Sequence, residues 1–247
     1  MLIPIENVIR YHQIKNVLHV GAHLGEEAFL YYKCGVQESL WIEANSDLIE
    51  QLQKNLSEFK NTRLFNAILS NVDNQEVIFN ISNNSMSSSI LELEHHTIAH
   101  PEVFYINKRI AKTITLNKLF IENGIPFDLY DFINIDIQGA ELLFLEGATM
   151  ILPHVKCIYV EVNYKELYKG CPLVKDLDNY LKKYHFLRIK TKWYGDSGWG
   201  DAIYLKLEPA EFNNYTTRLT NQYDSLRSFA TILYRNIRSR FKRNFRI

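Results

Sequence analysis

Val17-Leu18-His19-Val20-Gly21-Ala22-His23-Leu24-Gly25 reads as an apolar strand running into a glycine turn, and Trp41-Ile42-Glu43-Ala44-Asn45 follows as a second apolar run that meets an acid. A strand, a glycine turn, a helix and a strand with a carboxylate at its tip form the nucleotide-binding half of a Rossmann-like sheet. Gly21 permits the sharp turn, and Gly25 lets helix and strand approach closely. Glu43 lies roughly twenty residues further on, where a carboxylate accepts hydrogen bonds from ribose hydroxyls. The turn also discriminates between adenosine cofactors. A dinucleotide requires glycine at the second position so that the backbone can approach a pyrophosphate, and His23 stands there instead. S-Adenosylmethionine carries adenosine without phosphate, so the Gly-Ala-His-Leu-Gly turn predicts that cofactor rather than NAD.

The 247 residues are 47% hydrophobic and 13% aromatic, enough to bury a substantial core within one α/β domain. Residues 1–10 show neither a charged leader nor a long apolar stretch, and no apolar run reaches the length of a membrane span, which predicts a protein that is not exported. Cys34, Cys157 and Cys171 are odd in number and lack Cys-x-x-Cys spacing, so neither a disulfide framework nor a zinc site is expected. The expected compartment is the cytoplasm.

Downstream, the pattern alternates as in a doubly wound sheet. Leu48, Leu52, Leu56 and Phe59 recur at helical spacing over 47–59, and 63–69 returns as a strand with Asn66-Ala67 at its tip, on the adenine side. Residues 76–81 are β-rich, and 82–89 read as a polar loop over the cleft, with Ser89 and Glu92 at capping-box spacing. A buried strand is predicted over 132–137, a helix over 139–146 closed by Gly147, and another buried strand over 157–162. Residues 186–193 and 201–205 flank Gly195-Asp196-Ser197-Gly198-Trp199-Gly200, predicting a terminal hairpin with one antiparallel strand. The expected fold is thus an α/β, Rossmann-like methyltransferase sheet, mostly parallel, with helices on both faces.

Leu18-His19-Val20-Gly21-Ala22-His23-Leu24-Gly25, Trp41-Ile42-Glu43-Ala44, Asn66-Ala67-Ile68-Leu69-Ser70 and Ile133-Asn134-Ile135-Asp136-Ile137-Gln138-Gly139-Ala140-Glu141 together resemble the FkbM family of methyltransferases over most of residues 16–206. The family usually has Asp-x-Glu-Gly-Ala-Glu where this chain has Asp136-Ile137-Gln138-Gly139-Ala140-Glu141, so Gln138 replaces an acid. The resemblance implies methyl transfer from S-adenosylmethionine to a hydroxyl, often on a sugar or a polyketide-like product. His19 also departs from habit, because many methyltransferases place an acid two residues before the first glycine. Contacts to the methionine amino group are therefore expected from elsewhere in the chain.

Cofactor-binding candidates are Gly21, Ala22, His23, Gly25, Glu43, Ala44, Asn66, Ala67 and Asp136. Methyl transfer is an in-line displacement, so catalysis consists of aligning the acceptor oxygen and managing its proton. Asp136 and Glu161 leave the carboxyl ends of their strands, where ligands bind in open α/β sheets, and are the leading catalytic candidates. The competing role for both is capping or ion pairing beside the sheet. His100 is the third catalytic candidate, because histidine titrates near neutrality. Ser87, Ser88, His96, Asn163, Trp193 and Trp199 are the acceptor-binding candidates, the tryptophans by stacking on a sugar face. A divalent cation on the oxygens of Asp136, Glu161 and Asn163 is an alternative that is not favoured.

Residues 1–210 are expected to form the methyltransferase domain and 211–247 a helical extension. In the latter, Leu226, Phe229, Leu233, Ile237, Phe241 and Phe245 form an apolar stripe, while Arg227, Arg235, Arg238, Arg240, Lys242, Arg243 and Arg246 lie elsewhere. Such a basic helix suits peripheral contact with an anionic membrane, or packing on the domain or a second subunit; nucleic acid is the weaker option. The expected function is O-methylation of a small hydroxylated acceptor, a sugar of a glycan or natural product. The alternatives are a noncatalytic scaffold and an NAD-linked sugar oxidoreductase, which would need a Tyr-x-x-x-Lys pair near the cleft, where Tyr164 is followed by Tyr168 and not by Lys.

Overall fold

Apolar runs buried along nearly their whole length can be satisfied only in a sheet covered on both sides. The computed structural model describes residues 1–95, 97 and 100–213 and shows that arrangement. Strands β1 (Asn16–Val20), β2 (Glu38–Glu43), β3 (Thr62–Asn66), β7 (Phe132–Ile135), β8 (Cys157–Asn163), β9 (Phe186–Trp193) and β10 (Trp199–Lys206) form one seven-stranded sheet in the order β3-β2-β1-β7-β8-β10-β9. The first five of these strands in spatial order are parallel, and β10 runs antiparallel between β8 and β9. Strand order reverses between β1 and β7, so their carboxyl ends define the crevice in which such sheets bind ligands.

Alternation along each strand sends side chains into two cores. Val17, Trp41 and Phe132 pack with Ile9 of α1 (Glu6–Tyr11), Tyr31 of α2 (Ala28–Cys34) and Leu52 and Leu56 of α3 (Ile49–Leu56). Leu18, Leu40 and Ile133 pack on the opposite face with Phe120 of α4 (Leu116–Glu122), Phe144 of α5 (Glu141–Gly147) and Leu177 of α6 (Val174–Lys182). The sheet, the two helical layers and the terminal hairpin agree with the expected fold.

Three local expectations are corrected. The strand expected over 63–69 is broken at Ala67, whose N–H donates to the Glu43 carbonyl at 3.1 Å. Beyond the break, β4 (Ile68–Leu69) joins a second sheet with β5 (Glu76–Ser82) and β6 (Tyr105–Ile114). Residues 89–95 are not helical, so Ser89 and Glu92 do not form a capping box. The Ser89 hydroxyl accepts from the Leu91 N–H at 3.0 Å and donates to the Gln138 carbonyl at 2.8 Å, tying the middle segment to the loop after β7. Gly147 lies within the last turn of α5 rather than closing it in a left-handed conformation. It is glycine because a Cβ there would lie 2.1 Å from the Ser70 carbonyl oxygen.

Contacts separate a unit Met1–Lys206 from Leu207–Ile247. Of the latter, residues 207–213 are described, with 209–213 helical. The expected basic helix therefore falls almost wholly outside the described residues. Among those residues, no helix is long and apolar enough to cross a membrane.

Gly147→Ala sets two effects against each other. Replacing a helical glycine favours the helix by about 1 kcal/mol, whereas forcing a methyl against a backbone oxygen costs about 1–3 kcal/mol. Because the obstacle is backbone rather than a flexible side chain, the clash prevails, and a lower urea midpoint is expected. An unchanged or raised midpoint would show that α5 and the β4 end can separate freely.

Candidate active site

Gly21 leaves β1 with a φ of +86°, and a Cβ on it would lie 1.7 Å from the Asp136 carbonyl oxygen. The turns after β1 and β7 are thus in backbone contact at the crevice. His23 follows with a φ of +45°, an uncommon conformation for a residue with a side chain. Its backbone N–H donates to Glu43 Oε2 at 2.8 Å, while the Asn45 N–H donates to Glu43 Oε1 at 2.7 Å. Glu43 therefore clamps the turn to the end of β2. Burial raises its pKa, and these two hydrogen bonds act in the opposite sense. The His23 ring continues the connection, with Nδ1 2.7 Å from Glu26 Oε1 and Nε2 2.8 Å from Ser85 Oγ.

Two cavities meet at Gly21, His23, Met86, Asp136 and Gln138. The narrower, about 80 Å³, is a slot between Ile42, Glu43, Ala44, Ala67, Ile68 and Ile137, suited to a flat ring with its ribose at Glu43. The larger, about 440 Å³, has His19, Glu27, Glu161, Trp199 and Asp201 in its wall. An adenosine ligand placed in the slot would have its sulfur end directed past Gly21 into the larger cavity. The residues therefore fit S-adenosylmethionine, for which Glu43 would hold the ribose and the apolar pair Ile42 and Ile137 would lie beside the base.

The larger cavity has a paired-carboxylate floor. Gln138 Nε2 donates to Asp136 Oδ1 at 2.7 Å and lies 3.5 Å from Glu161 Oε2. Gln138 is itself held at a φ of +55°, with its Oε1 accepting from the Tyr168 hydroxyl. Asp201 lies directly across from Glu161 on β10 and accepts from the Tyr159 hydroxyl and the Leu2 N–H. Asp136 opens onto the cavity, but protein surrounds it densely elsewhere, and that desolvation governs its titration. Burial pushes it up to about 6, the Gln138 hydrogen bond opposes this, and Asp201 adds to it. Burial, followed by the fields of Asp136, Glu141 and Asp201, pushes Glu161 well above the carboxylate range. Two such neighbours titrate as a pair, in which the ionisation of one opposes that of the other and Glu161 is the more strongly raised.

The remaining expected residues divide by position. Ala22, Ser87 and His100 line the larger cavity, and His100 Nδ1 lies 3.5 Å from Glu102 Oε1. Trp199 also lines it, stacked on Tyr194 with ring centroids 4.9 Å apart. Ser88 lines the adenosine slot rather than the larger cavity, and its hydroxyl accepts from the Ser82 N–H at 3.1 Å. Gly25 packs against Leu52 and Leu56, and Asn66 Nδ2 donates to the Glu43 carbonyl at 2.8 Å; both shape the cleft from outside it. Asn163 is fully buried, and Trp193 stands edge-on to Tyr164; neither lines either of these two cavities. His96 lies outside the described residues. Among the described residues, no group of three His, Cys, Asp or Glu side chains is arranged to hold a metal ion.

Sequence reading missed Tyr168, Tyr159, Asp201 and Glu141. Glu141 is fully buried at the start of α5 and accepts from the Gly139 N–H at 3.0 Å and the Ile137 N–H at 3.3 Å, shaping the loop that carries Gln138. The sequence signals for this set were Gln138, an amide where an acid was expected, and Glu141, which closes the same motif and was given no role.

The family model for the methyltransferase FkbM domain matches residues 19–187, more than half of the chain. No curated protein sequence matches significantly. Among solved structures, an uncharacterized protein from Listeria monocytogenes serotype 4b aligns with a TM-score of 0.48 at 10% identity, over 84% of this chain and 69% of that one. A TehB-like SAM-dependent methyltransferase from Corynebacterium glutamicum aligns with a TM-score of 0.41 at 11% identity, over 82% of this chain and 87% of that one. Magnesium protoporphyrin IX methyltransferase from Synechocystis, solved with bound SAM, aligns with a TM-score of 0.44 at 8% identity, over 77% and 69%.

Burial pushes Glu141 up to about 7 from an ordinary 4.5. A carboxylate raised on folding binds its proton more tightly in the folded state, so its contribution is fully present below about pH 4.5 and is lost as pH rises through about 7. Urea unfolding across that range should show stability falling with pH, and Glu141→Gln should flatten the slope. An unchanged slope in the variant would assign the dependence to other groups.

Proposed function

This chain belongs to the FkbM methyltransferase domain family and is an S-adenosylmethionine-dependent methyltransferase, and from that premise we propose that it methylates a hydroxyl of a small acceptor, a sugar of a glycan or natural product. The observation that carries this reading is the Asp136–Glu161 pair, bridged by Gln138, at the point where the adenosine slot opens into the larger cavity. A hydroxyl differs from an amine or a carboxylate in that its proton must be removed as the new bond forms. An ordinary carboxylate is too weak a base to remove it beforehand, so the proton moves in the transition state.

S-Adenosylmethionine supplies an electrophilic methyl on a sulfonium. Gly21 and Glu43 orient the adenosine half, and the cavity wall holds the acceptor. Gln138 engages Asp136 Oδ1, which leaves Oδ2 to take the hydroxyl proton as the carbon–sulfur bond breaks and the carbon–oxygen bond forms. Glu161, the more strongly raised of the two, is the member of the pair whose protonated form would donate a hydrogen bond to a neighbouring acceptor oxygen while Asp136 carries the charge. Trp199, on the same wall, offers the flat apolar face that sugar rings stack against.

The test is transfer of labelled methyl from S-adenosylmethionine to a panel of sugars and nucleotide sugars, with small amines and carboxylic acids as controls. The expected product is a methyl ether. Asp136→Asn should lower kcat by about 10²–10⁴-fold, and wild-type kcat should rise as pH increases through about 6, where Asp136 ionises. Methylation of amines alone would overturn the hydroxyl reading. Cofactor binding without turnover on any acceptor would favour a noncatalytic scaffold.

A further inference from the structure

The methionine portion of the cofactor ends in an α-ammonium group, which needs an anionic partner once removed from water. The position two residues before Gly21 holds His19, and the structure shows why this ring cannot serve. His19 is 3% exposed, stacked on Trp41 with centroids 4.6 Å apart, and its Nδ1 lies 3.1 Å from the Tyr31 hydroxyl. That hydroxyl accepts from Asn134 Nδ2 at 2.9 Å, so it donates its own proton to Nδ1 and leaves the proton of the ring on Nε2. Burial pushes the imidazole down to about 3, so it is neutral.

His19 Nε2 points at Glu27 Oε2, 4.0 Å away. Both residues line the larger cavity on the side that begins at Gly21 and Ala22. Of the two neighbouring acids, Glu26 is already engaged, with Oε1 on the His23 ring and Oε2 accepting from the Leu24 N–H at 3.3 Å. The Glu27 side chain is 19% exposed and accepts no hydrogen bond from another described residue. Burial and the field of Glu26 raise its pKa, while the α-amino group of Met1 and His23 lower it. A carboxylate that faces a ligand cavity, with the neutral His19 ring 4.0 Å away and no hydrogen-bonded cation among the described residues, is the arrangement a ligand cation stabilises.

We propose that Glu27 supplies the carboxylate that receives the methionine α-ammonium of the cofactor, with the His19 ring steadying it from below. The carboxylate stands at the helix entry and not on the strand: His19 fills the buried position, and Glu27, eight residues on, lines the same wall. This assignment rests on the cofactor reading above and specifies how the half of the ligand beyond Gly21 is recognised.

Isothermal titration of the full chain with two ligands separates the possibilities. S-Adenosylhomocysteine carries the α-ammonium, whereas 5′-methylthioadenosine shares the thioadenosine and lacks the amino acid. Glu27→Gln should weaken S-adenosylhomocysteine by roughly ten- to a hundredfold, the loss of a charge-assisted hydrogen bond, and leave 5′-methylthioadenosine within about twofold. Retained binding of the truncated ligand also shows that the variant is folded. Equal affinity of wild type and variant for S-adenosylhomocysteine would overturn the assignment, as would an equal loss for both ligands. If wild type binds neither ligand, the cofactor reading fails and carries this inference with it. Should Glu27→Gln prove unstable, Glu27→Asp applies the same comparison with the charge retained but withdrawn, and the selective loss for S-adenosylhomocysteine is again expected.

Discussion

The contact between Gly21 and the Asp136 carbonyl oxygen is the constraint on which the site depends. A Cβ at residue 21 would lie 1.7 Å from that oxygen, so the ends of β1 and β7 approach this closely only because one residue has no side chain. Their approach sets the cofactor turn beside the loop that carries Asp136 and Gln138. Were the two turns apart, the adenosine slot and the larger cavity would not share a border, and a methyl donor in one could not face an acceptor in the other.

Around that contact the polar groups tie loops to one another rather than to the core. Glu43 clamps the His23 turn to β2, the His23 ring reaches Ser85, Ser89 holds the Gln138 carbonyl, and Glu141 shapes the loop from beneath. Each bond joins elements distant in sequence, and each leaves a ligand-facing group in a defined place. The cost is visible in the backbone, where His23 and Gln138 both adopt positive φ. Gln138 explains itself in this setting. Its amide donates toward both carboxylates, whereas an acid at that position would add another ionisable carboxylate beside Asp136 and Glu161 and lose the donor that serves them.

Much of the fold was legible because burial periodicity and glycine turns are local signals. The runs at 17–20, 132–135 and 157–163 are predominantly apolar, interrupted only by His19, Asn134, Glu161 and Asn163, which implies a sheet covered on both sides. The hairpin announced itself through Gly195, Gly198 and Gly200 between two strand-like segments. β6 was not read, because its side chains are mostly exposed and Lys108, Arg109 and Lys112 mask any period. Gly147 was misread for a complementary reason: a glycine after a helix pattern suggests a cap, and only the packed structure reveals the Ser70 carbonyl against it.

The sequence by itself determined the order of the sheet's elements, the glycine turn and the acids at strand tips, since each depends on residues within one or two turns of chain. The tertiary structure decided which acids act together. Asp136, Glu161 and Asp201 belong to three different strand ends, and Glu27 is paired with His19 only because α2 folds back over β1. Electrostatic coupling falls with distance in space and not with separation along the chain. For that reason the residues that set one another's protonation became visible only once the strands were placed side by side.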